Sequence, residues 1–205
     1  MFPFQKYLLE VSNLAITAGI KIIDHYQTEI QVVIKEDQSP LTKADLDSNT
    51  IISQGLSKMN SAIPIISEES FVDWKTRKEW NKYWLIDPLD GTKEFINKNG
   101  EFTVNIALIE NNQPVLGVIF VPVLSTLYFA SKNFGSYKLH CSSTIDSLND
   151  SSKIKVNEKI KSDHLLVIGS RSHSNEDFNK WLKVNIKDYE LVKKGSSLKF
   201  CHLAD

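Results

Sequence analysis

The chain has 205 residues, of which 41% are hydrophobic and 24% are charged, a composition typical of a globular protein with a substantial core. Its net charge of −1 and pI near 6.5 exclude a general binder of nucleic acid polymers, although a local basic cluster can still meet one small anionic ligand. Two distant cysteines, Cys141 and Cys201, exclude a disulfide framework and a zinc signature.

The N-terminal segment lacks the basic region, apolar stretch and cleavage site of a signal peptide. The longest apolar stretch, residues 114–124, is bracketed by prolines and is too short to span a bilayer. Together with two cysteines that we interpret as reduced thiols, these features predict a cytoplasmic protein without a transmembrane segment.

The first part of the sequence alternates helical patterns with short extended segments. Apolar residues recur at helical spacing from Phe4 onward and again after a polar turn near Pro40. The predicted elements are a helix at 4–26, an extended segment at 30–35, a helix from about 42 to 59, a strand at 62–66, a charged helix at about 74–82 and a strand at 83–87.

From residue 102 to 140 the hydrophobic period changes to two, which predicts an antiparallel meander. Residues 142–153 are rich in Ser, Asn and Asp and predict a loop or linker. Four further elements are predicted after it: a strand at 164–170, a helix at about 174–184, a strand at 189–193 and the start of a helix that reaches Asp205. We therefore expect two parts, 1–150 and 151–205, the second truncated because its last helix has no stop signal.

Five carboxylates stand out because of their places in these elements. Asp45 lies near a helix start, and the others follow strands in two pairs, Glu68 with Glu69 and Asp87 with Asp90. Chemistry in α/β folds commonly lies at the carboxyl ends of strands. Carboxylates gathered there are costly unless they are protonated or bridged by cations, and their hard oxygen atoms suit Mg²⁺.

Taken singly, these residues have simpler interpretations: a capping box at Thr42–Asp45, exposed loop charges at Glu68 and Glu69, and a turn at 88–91. An EF-hand calcium loop is excluded, because Asp87 and Asp90 are three residues apart and Asn97 stands where the loop needs Glu. An aspartyl nucleophile of the D-x-D type also needs a different spacing.

In combination, the motifs ISEES (66–70), WLIDPLDGTKEF (84–95) and NGEFTVNIALIE (99–110) resemble those of the inositol monophosphatase superfamily of lithium-sensitive, magnesium-dependent phosphomonoesterases. They are most similar to its bacterial 3′(2′),5′-bisphosphate nucleotidase branch. Three shorter motifs add to the likeness: SPLTKAD (39–45), SRSH (170–173) and GSSLKFC (195–201). The resemblance implies an α+β fold, a layered α/β/α/β sandwich of the inositol monophosphatase and fructose-1,6-bisphosphatase type, with an incomplete C-terminal part.

The same resemblance implies a role for each matching residue. The implied metal ligands are Glu68, Asp87, the Leu89 carbonyl and Asp90. Asp45 and Thr92 match the pair that orients and deprotonates the attacking water. The implied substrate-binding residues are Glu68, Leu89, Asp90, Gly91, Thr92 and Ser196. The implied cofactor is Mg²⁺, as two ions, with a third near Glu69 as an alternative.

The activity implied is hydrolysis of adenosine 3′,5′-bisphosphate (PAP), and alternatively of PAPS, to AMP and phosphate by direct water attack, in sulfur assimilation or nucleotide recycling. Arg171, Lys193 and Lys194, with residues 195–197, either meet the second phosphate or form solvated surface charge. Inositol 1-phosphate and fructose 1,6-bisphosphate remain alternative substrates. The resemblance further implies a monomer or homodimer, with peripheral association with the inner membrane as an alternative to a purely cytoplasmic location.

One feature of the superfamily has no counterpart in these 205 residues. Its remaining ligand of the second metal is an Asp in a W-D-x-A-A-G motif, and Asp205 lies in a different motif region. Losing one interaction aimed at transition-state charge costs on the order of 10²–10³ in rate. We therefore expect weak or no activity from the 205 residues alone, with a non-catalytic metal- or nucleotide-binding remnant as the alternative.

Overall fold

The computed structural model describes residues 4–156, 164–172 and 176–204. The helices in this part of the chain are α1 (Gln5–Tyr26), α2 (Lys43–Met59), α3 (Trp74–Arg77), α4 (Thr92–Ile96), α5 (Glu176–Asn185) and α6 (Leu198–Ala204). The strands are β1 (Val32–Ile34), β2 (Pro40–Thr42), β3 (Ile65–Ser67), β4 (Lys82–Asp90), β5 (Thr103–Glu110), β6 (Gln113–Val121), β7 (Thr126–Ser131), β8 (Gly135–His140), β9 (Ser152–Ile154), β10 (Leu165–Ser170) and β11 (Tyr189–Lys194).

A mixed sheet organises the larger part of the molecule, with its strands in the order β3-β4-β5-β6-β7-β8-β9. Strands β3 and β4 are parallel, and each later strand pairs antiparallel with the one before it. The period-two pattern of residues 102–140 therefore correctly predicted a meander. Helices joined with this sheet confirm the α+β class.

Helices α1 and α2 supply the layer that covers the sheet. Both have a stripe of apolar residues at helical spacing, and these stripes and the sheet bury one continuous core. Its largest fully buried side chains are Leu8, Ile16, Ile22, Ile52, Leu56, Trp84, Phe95, Phe102, Ile106, Leu108, Leu116 and Leu127. This core packs α2 against β4 and α1 against β5, and it thereby positions the segments that carry the acidic motifs.

A smaller unit comes after β9. Strands β10 and β11 are parallel neighbours, and helices α5 and α6 accompany them. Leu198 and Cys201 of α6 are buried against Val121 and Tyr128 of the main sheet. The division at residue 150 stays a prediction; β9, which lies beyond that point, still pairs with β8.

Two sequence-based boundaries were wrong in extent. The third helix was predicted to reach residue 82 but ends at Arg77, because none of its side chains is buried and no packing extends it. The predicted loop at 142–153 gives way to strand β9 at Ser152, which the neighbouring edge of β8 stabilises. Among the described residues, no helix combines the length and apolar character needed to cross a bilayer.

Candidate active site

The D-P-L-D-G segment ends β4 in a β-bulge. Side chains three residues apart in a regular strand point to opposite faces of the sheet. Here Asp87 pairs with Asn105 and Asp90 pairs with Thr103, so three steps along β4 match two along β5. Such an insertion turns the strand locally, and it brings both carboxylates into one cavity. Pro88, which has no N–H to donate to the ladder, suits this place.

Two side-chain hydroxyls hold the backbone of the bulge. Ser48, buried on α2, donates to the Pro88 carbonyl at 2.7 Å. The Thr92 hydroxyl lies 3.3 Å from the Leu89 carbonyl oxygen. The turn interpretation is therefore compatible with the ligand interpretation, because the same rigid turn presents the acidic side chains.

The helix after the bulge is anchored by aromatic packing. Gly91 has a φ of +95°, a left-handed conformation that glycine adopts without strain, and α4 begins directly after it. Phe95 is fully buried, with its ring centroid 5.3 Å from that of Phe102 and 5.4 Å from that of Tyr26. This short helix is thereby fixed beside the two aspartates.

A cavity of about 390 Å³ lies over the bulge. Its wall includes the implied metal ligands and substrate-binding residues Glu68, Asp87, Leu89, Asp90, Gly91, Thr92 and Ser196, but not Glu69. Two lysines, Lys93 and Lys199, also line it, and sequence reasoning did not single them out. The cavity thus combines acidic oxygen atoms with cationic groups suited to an anionic ligand.

Asp45 lies behind Thr92, at the start of α2. Its Oδ2 accepts hydrogen bonds from the Thr42 backbone N–H at 2.8 Å and from the Thr42 hydroxyl at 2.6 Å. Its Oδ1 accepts from the Thr92 hydroxyl at 3.1 Å. The capping contact predicted for Asp45 is therefore present, and its second oxygen remains available to Thr92.

Asp87 is the electrostatic centre of the cavity. Its Oδ1 is buried and has no hydrogen-bond partner among the described residues. Burial, followed by the charges of Glu68 and Asp90, raises the pKa of Asp87 to about 9. A carboxylate in these surroundings is stabilised either by a proton or by a cation.

The donor chemistry at the cavity fits a hard divalent cation. Glu68, Asp87 and Asp90 offer carboxylate oxygens, and Leu89 offers a carbonyl, which are the oxygen ligands Mg²⁺ prefers. Within the described residues, no three Asp, Glu, His or Cys side chains are grouped so that they could hold a metal ion without some rearrangement. The Glu68 side chain is 52% exposed, and carboxylates without a cation repel one another.

Asp90 connects the cavity to the C-terminal unit. Its Oδ2 accepts from Asn105 Nδ2 at 3.3 Å and from the Ser197 backbone N–H. Ser196 lies in the left-handed region with a φ of +49°, and its hydroxyl accepts from Leu198 N at 3.2 Å. Ser196 therefore both lines the cavity and supports the start of α6.

The basic residues considered for a second phosphate differ in their surroundings. Arg171 donates two hydrogen bonds to Glu101, from Nε at 2.6 Å and from Nη2 at 2.8 Å. Lys194 Nζ lies 3.5 Å from the same carboxylate, and Lys193 is exposed. Arg171 and Lys194 therefore form an ion-pair network with Glu101 of the same chain.

Glu69, considered for a third ion, accepts a hydrogen bond from Lys35 Nζ at 2.7 Å. Burial raises its pKa even though the lysine opposes this shift. Sequence reasoning missed Glu94 and Glu101, both buried beside the C-terminal unit. Their partners lie 70 or more residues away, and no local pattern could have indicated them.

The sequence of this chain matches a known family over nearly its whole length. Residues 5–205 match the inositol monophosphatase family. The 3′(2′),5′-bisphosphate nucleotidase CysQ of Salmonella typhimurium is 40% identical over 200 residues, which cover 97% of this chain and 76% of that protein. The chain thus spans about three quarters of this relative's length.

Solved structures give the same assignment. The crystal structure of CysQ from Bacteroides thetaiotaomicron superposes with a TM-score of 0.84 at 36% identity, covering 100% of this chain and 78% of that one. A more distant structure, an IMPase/NADP phosphatase complexed with Mg²⁺ and phosphate, shares the fold at a TM-score of 0.66 and 20% identity, over 85% of this chain and 63% of that one. The chain belongs to the inositol monophosphatase family.

Proposed function

We propose that the protein is a Mg²⁺-dependent phosphatase that hydrolyses the phosphate monoester of a 3′(2′),5′-bisphosphate nucleotide such as PAP. The observation that carries this proposal is the bulge at the end of β4, which turns Asp87 and Asp90 into one cavity with Glu68. The nucleotidase relative at 40% identity over 97% of the chain supports the nucleotide as substrate.

Glu68, Asp87, the Leu89 carbonyl and Asp90 would hold the divalent cation. When bound there, it would polarise the phosphoryl group, activate water and offset negative charge. The chain supplies the rigid frame for this chemistry, since Ser48 fixes the Pro88 carbonyl and the buried Phe95 fixes α4. The number of ions is part of the proposal: two.

Thr92 and Asp45 handle the proton of the attacking water. The Thr92 hydroxyl donates to Asp45 Oδ1, so it can pass its own proton to that carboxylate as its lone pair accepts a proton from water. Asp45 is held in place by both hydrogen bonds from Thr42, so its second oxygen stays directed at Thr92. In this proposal the water attacks phosphorus directly, without a covalent phosphoenzyme.

The substrate phosphate lies beside Gly91 and Thr92, near the positive charges of Lys93 and Lys199. These cations offset part of the repulsion between the phosphate and the aspartates, which is roughly 4 kcal/mol per close pair at an effective dielectric of ~20. Ser196 borders the same space and contacts the remainder of the nucleotide.

The test is phosphate release from PAP, inositol 1-phosphate and fructose 1,6-bisphosphate during a Mg²⁺ titration. The proposal predicts that PAP has the highest kcat/KM, by at least about tenfold, and that a chelator removes the activity. Because the test uses the ratio of kcat/KM values between substrates, it remains valid even where the absolute rates are low. Equal turnover of inositol 1-phosphate would overturn the nucleotide assignment, and Mg²⁺-independent turnover would overturn the metal assignment.

A further inference from the structure

Two buried carboxylates lie outside the proposed metal ligands and the proton relay. Glu94 is 4% exposed and Glu101 is 8% exposed. A buried carboxylate is costly unless hydrogen bonds and opposite charges compensate for its lost hydration. Both residues find this compensation in two neighbouring loops: Arg171 and Ser172 follow β10, and the segment 194–199 ends β11 and leads into α6.

Glu101 accepts hydrogen bonds from both of these loops. Besides the two hydrogen bonds from Arg171, it accepts one from the Gly195 backbone N–H at 2.8 Å, and Lys194 lies 3.5 Å away. The bidentate contact with Arg171 fixes direction as well as distance. These hydrogen bonds and charges lower the pKa of Glu101, with Arg171 making the largest contribution.

Glu94 contacts the same two loops, at Ser172 and at Gly195. It accepts a hydrogen bond from the Ser172 hydroxyl. A Cβ atom added to Gly195 would lie 2.5 Å from Glu94 Cγ and 2.9 Å from its Cδ. Gly195 is therefore held between two acidic side chains at a distance that leaves no room for a larger residue.

The position of Gly195 determines where the next two residues lie. Ser196 lines the cavity, and the Ser197 N–H donates to Asp90 Oδ2. The Ser197 hydroxyl also donates to Asn105 Oδ1 at 2.9 Å. A shift of Gly195 would therefore move one wall of the cavity and release a hydrogen bond to a proposed metal ligand.

We propose that Glu101 is a positioning residue: by binding Arg171 and the Gly195 N–H, it holds Ser196 and Ser197 against Asp90 and so completes the substrate cavity. Glu94 packs directly against Gly195, and it also accepts a hydrogen bond from Ser172, which follows β10. Glu101 acts through Gly195 and not on the reacting atoms. The kinetic part of this proposal rests on the proposed function, whereas the structural part does not.

The test compares Glu101→Gln with Glu110→Gln. Glu110 ends the same strand that Glu101 precedes, and it pairs with Lys82 at 2.9 Å, away from the cavity. Gln keeps the shape of Glu101 but removes its charge, so the variant is expected to fold. Amide hydrogen exchange of the segment 194–199 is measured in both variants, together with kcat and KM for PAP.

For Glu101→Gln we expect exchange at the Gly195 and Ser197 amides to become at least about fivefold faster. KM should rise about tenfold with kcat within about threefold of the parent, because substrate placement suffers more than the chemistry. Glu110→Gln should match the parent in all three measurements. Arg171→Ala should reproduce the effect, and the double variant should add little to it.

Unchanged exchange at these amides in Glu101→Gln would overturn the proposal, whether or not the protein turns over PAP. Faster exchange with an unchanged KM would also overturn it, since the segment would then be structural only. If the parent released phosphate from inositol 1-phosphate as efficiently as from PAP, the proposed function would fail, and the exchange data alone would decide the structural claim.

Discussion

Two groups of acidic residues, one at the bulge and one beside the C-terminal unit, differ in their partners. At the bulge, Asp87 has a buried oxygen without a hydrogen-bond partner among the described residues, and the charges that most affect it are those of Glu68 and Asp90. Beside it, Glu101 is saturated by Arg171 and a backbone N–H. The contrast appears in the pKa, which rises to about 9 for Asp87 and falls for Glu101.

This difference separates a binding role from a structural one. A protein can retain a cluster of like charges when a ligand compensates for it, and strongly perturbed carboxylates are typical of functional sites. A carboxylate that already accepts several hydrogen bonds has little acceptor capacity left for a ligand, and it acts on its neighbours instead. Substitutions in the two groups should therefore have different consequences, and the largest effect is expected at Asp87.

Asp87→Asn should reduce phosphate release by about 10³-fold or more, because the amide removes the charge that holds the cation. The measurement is kcat/KM for PAP at saturating Mg²⁺. Asp146→Asn, at an exposed position outside the cavity, is the matched control and should leave the rate unchanged. An Asp87→Asn variant as active as this control would contradict the metal assignment.

Thr92→Val should lower kcat by about 10²–10³-fold, since the relay to Asp45 loses its hydroxyl. Thr92→Ser keeps the hydroxyl and should retain most of the activity. Both variants should unfold near the temperature of the parent, because Thr92 is only half-buried. Equal activity of the Val and Ser variants would exclude Thr92 from proton transfer.

Gly195→Ala should destabilise the protein by about 1–3 kcal/mol and raise KM, because the added methyl group meets Glu94 and the Glu101 carbonyl oxygen. For a chain of this size, each kcal/mol lowers Tm by about 2–4 °C. Gly117→Ala is the control, since nothing lies within 4 Å of a Cβ at that position. A Gly195→Ala variant as stable as this control would show that the segment tolerates displacement.

The ion pair of Glu101 should make stability depend on pH in a defined direction. Its pKa is lowered in the folded protein, chiefly by Arg171, so its contribution is complete above its ordinary pKa and is lost as pH falls through the folded value. The parent should therefore have a higher Tm than Glu101→Gln at neutral pH. The gap should close in acid, below the ordinary pKa of a glutamate; a gap that persists there would point to packing instead of charge.

Local patterns accounted for much of the fold. The helical spacing in residues 4–26 predicted α1, and the period of two predicted the meander, because both signals arise from burial of one face. The end of α3 at Arg77 was missed because an exposed helix has no burial pattern that fixes its length.

The candidate site also contains some residues that the sequence predicted and others that it did not. The D-P-L-D-G sequence has the turn-forming residues of the bulge within it, so Asp87 and Asp90 could be singled out from the sequence. Asp45 and Glu68 also stood out by their places at the ends of predicted elements, and the resemblance to a phosphatase superfamily gave them roles in the same site. Glu101 could not be singled out, because its contacts with Arg171 and Gly195 join positions 70 and 94 residues apart and exist only in the folded chain.

The central claim is that the carboxylates at the bulge, with the buried oxygen of Asp87 among them, form the Mg²⁺ site. The most direct test is thermal unfolding of the parent and of Asp87→Asn, each with and without Mg²⁺ near pH 8. Without Mg²⁺, the raised pKa of Asp87 means that folding near pH 8 must return a proton that the unfolded chain has lost. The parent therefore loses stability as pH rises from the ordinary carboxyl pKa toward 9, and the variant should be the more stable protein. Added Mg²⁺ should raise the Tm of the parent by about 2–4 °C or more and leave the variant unchanged. An equal rise in both proteins would contradict the account.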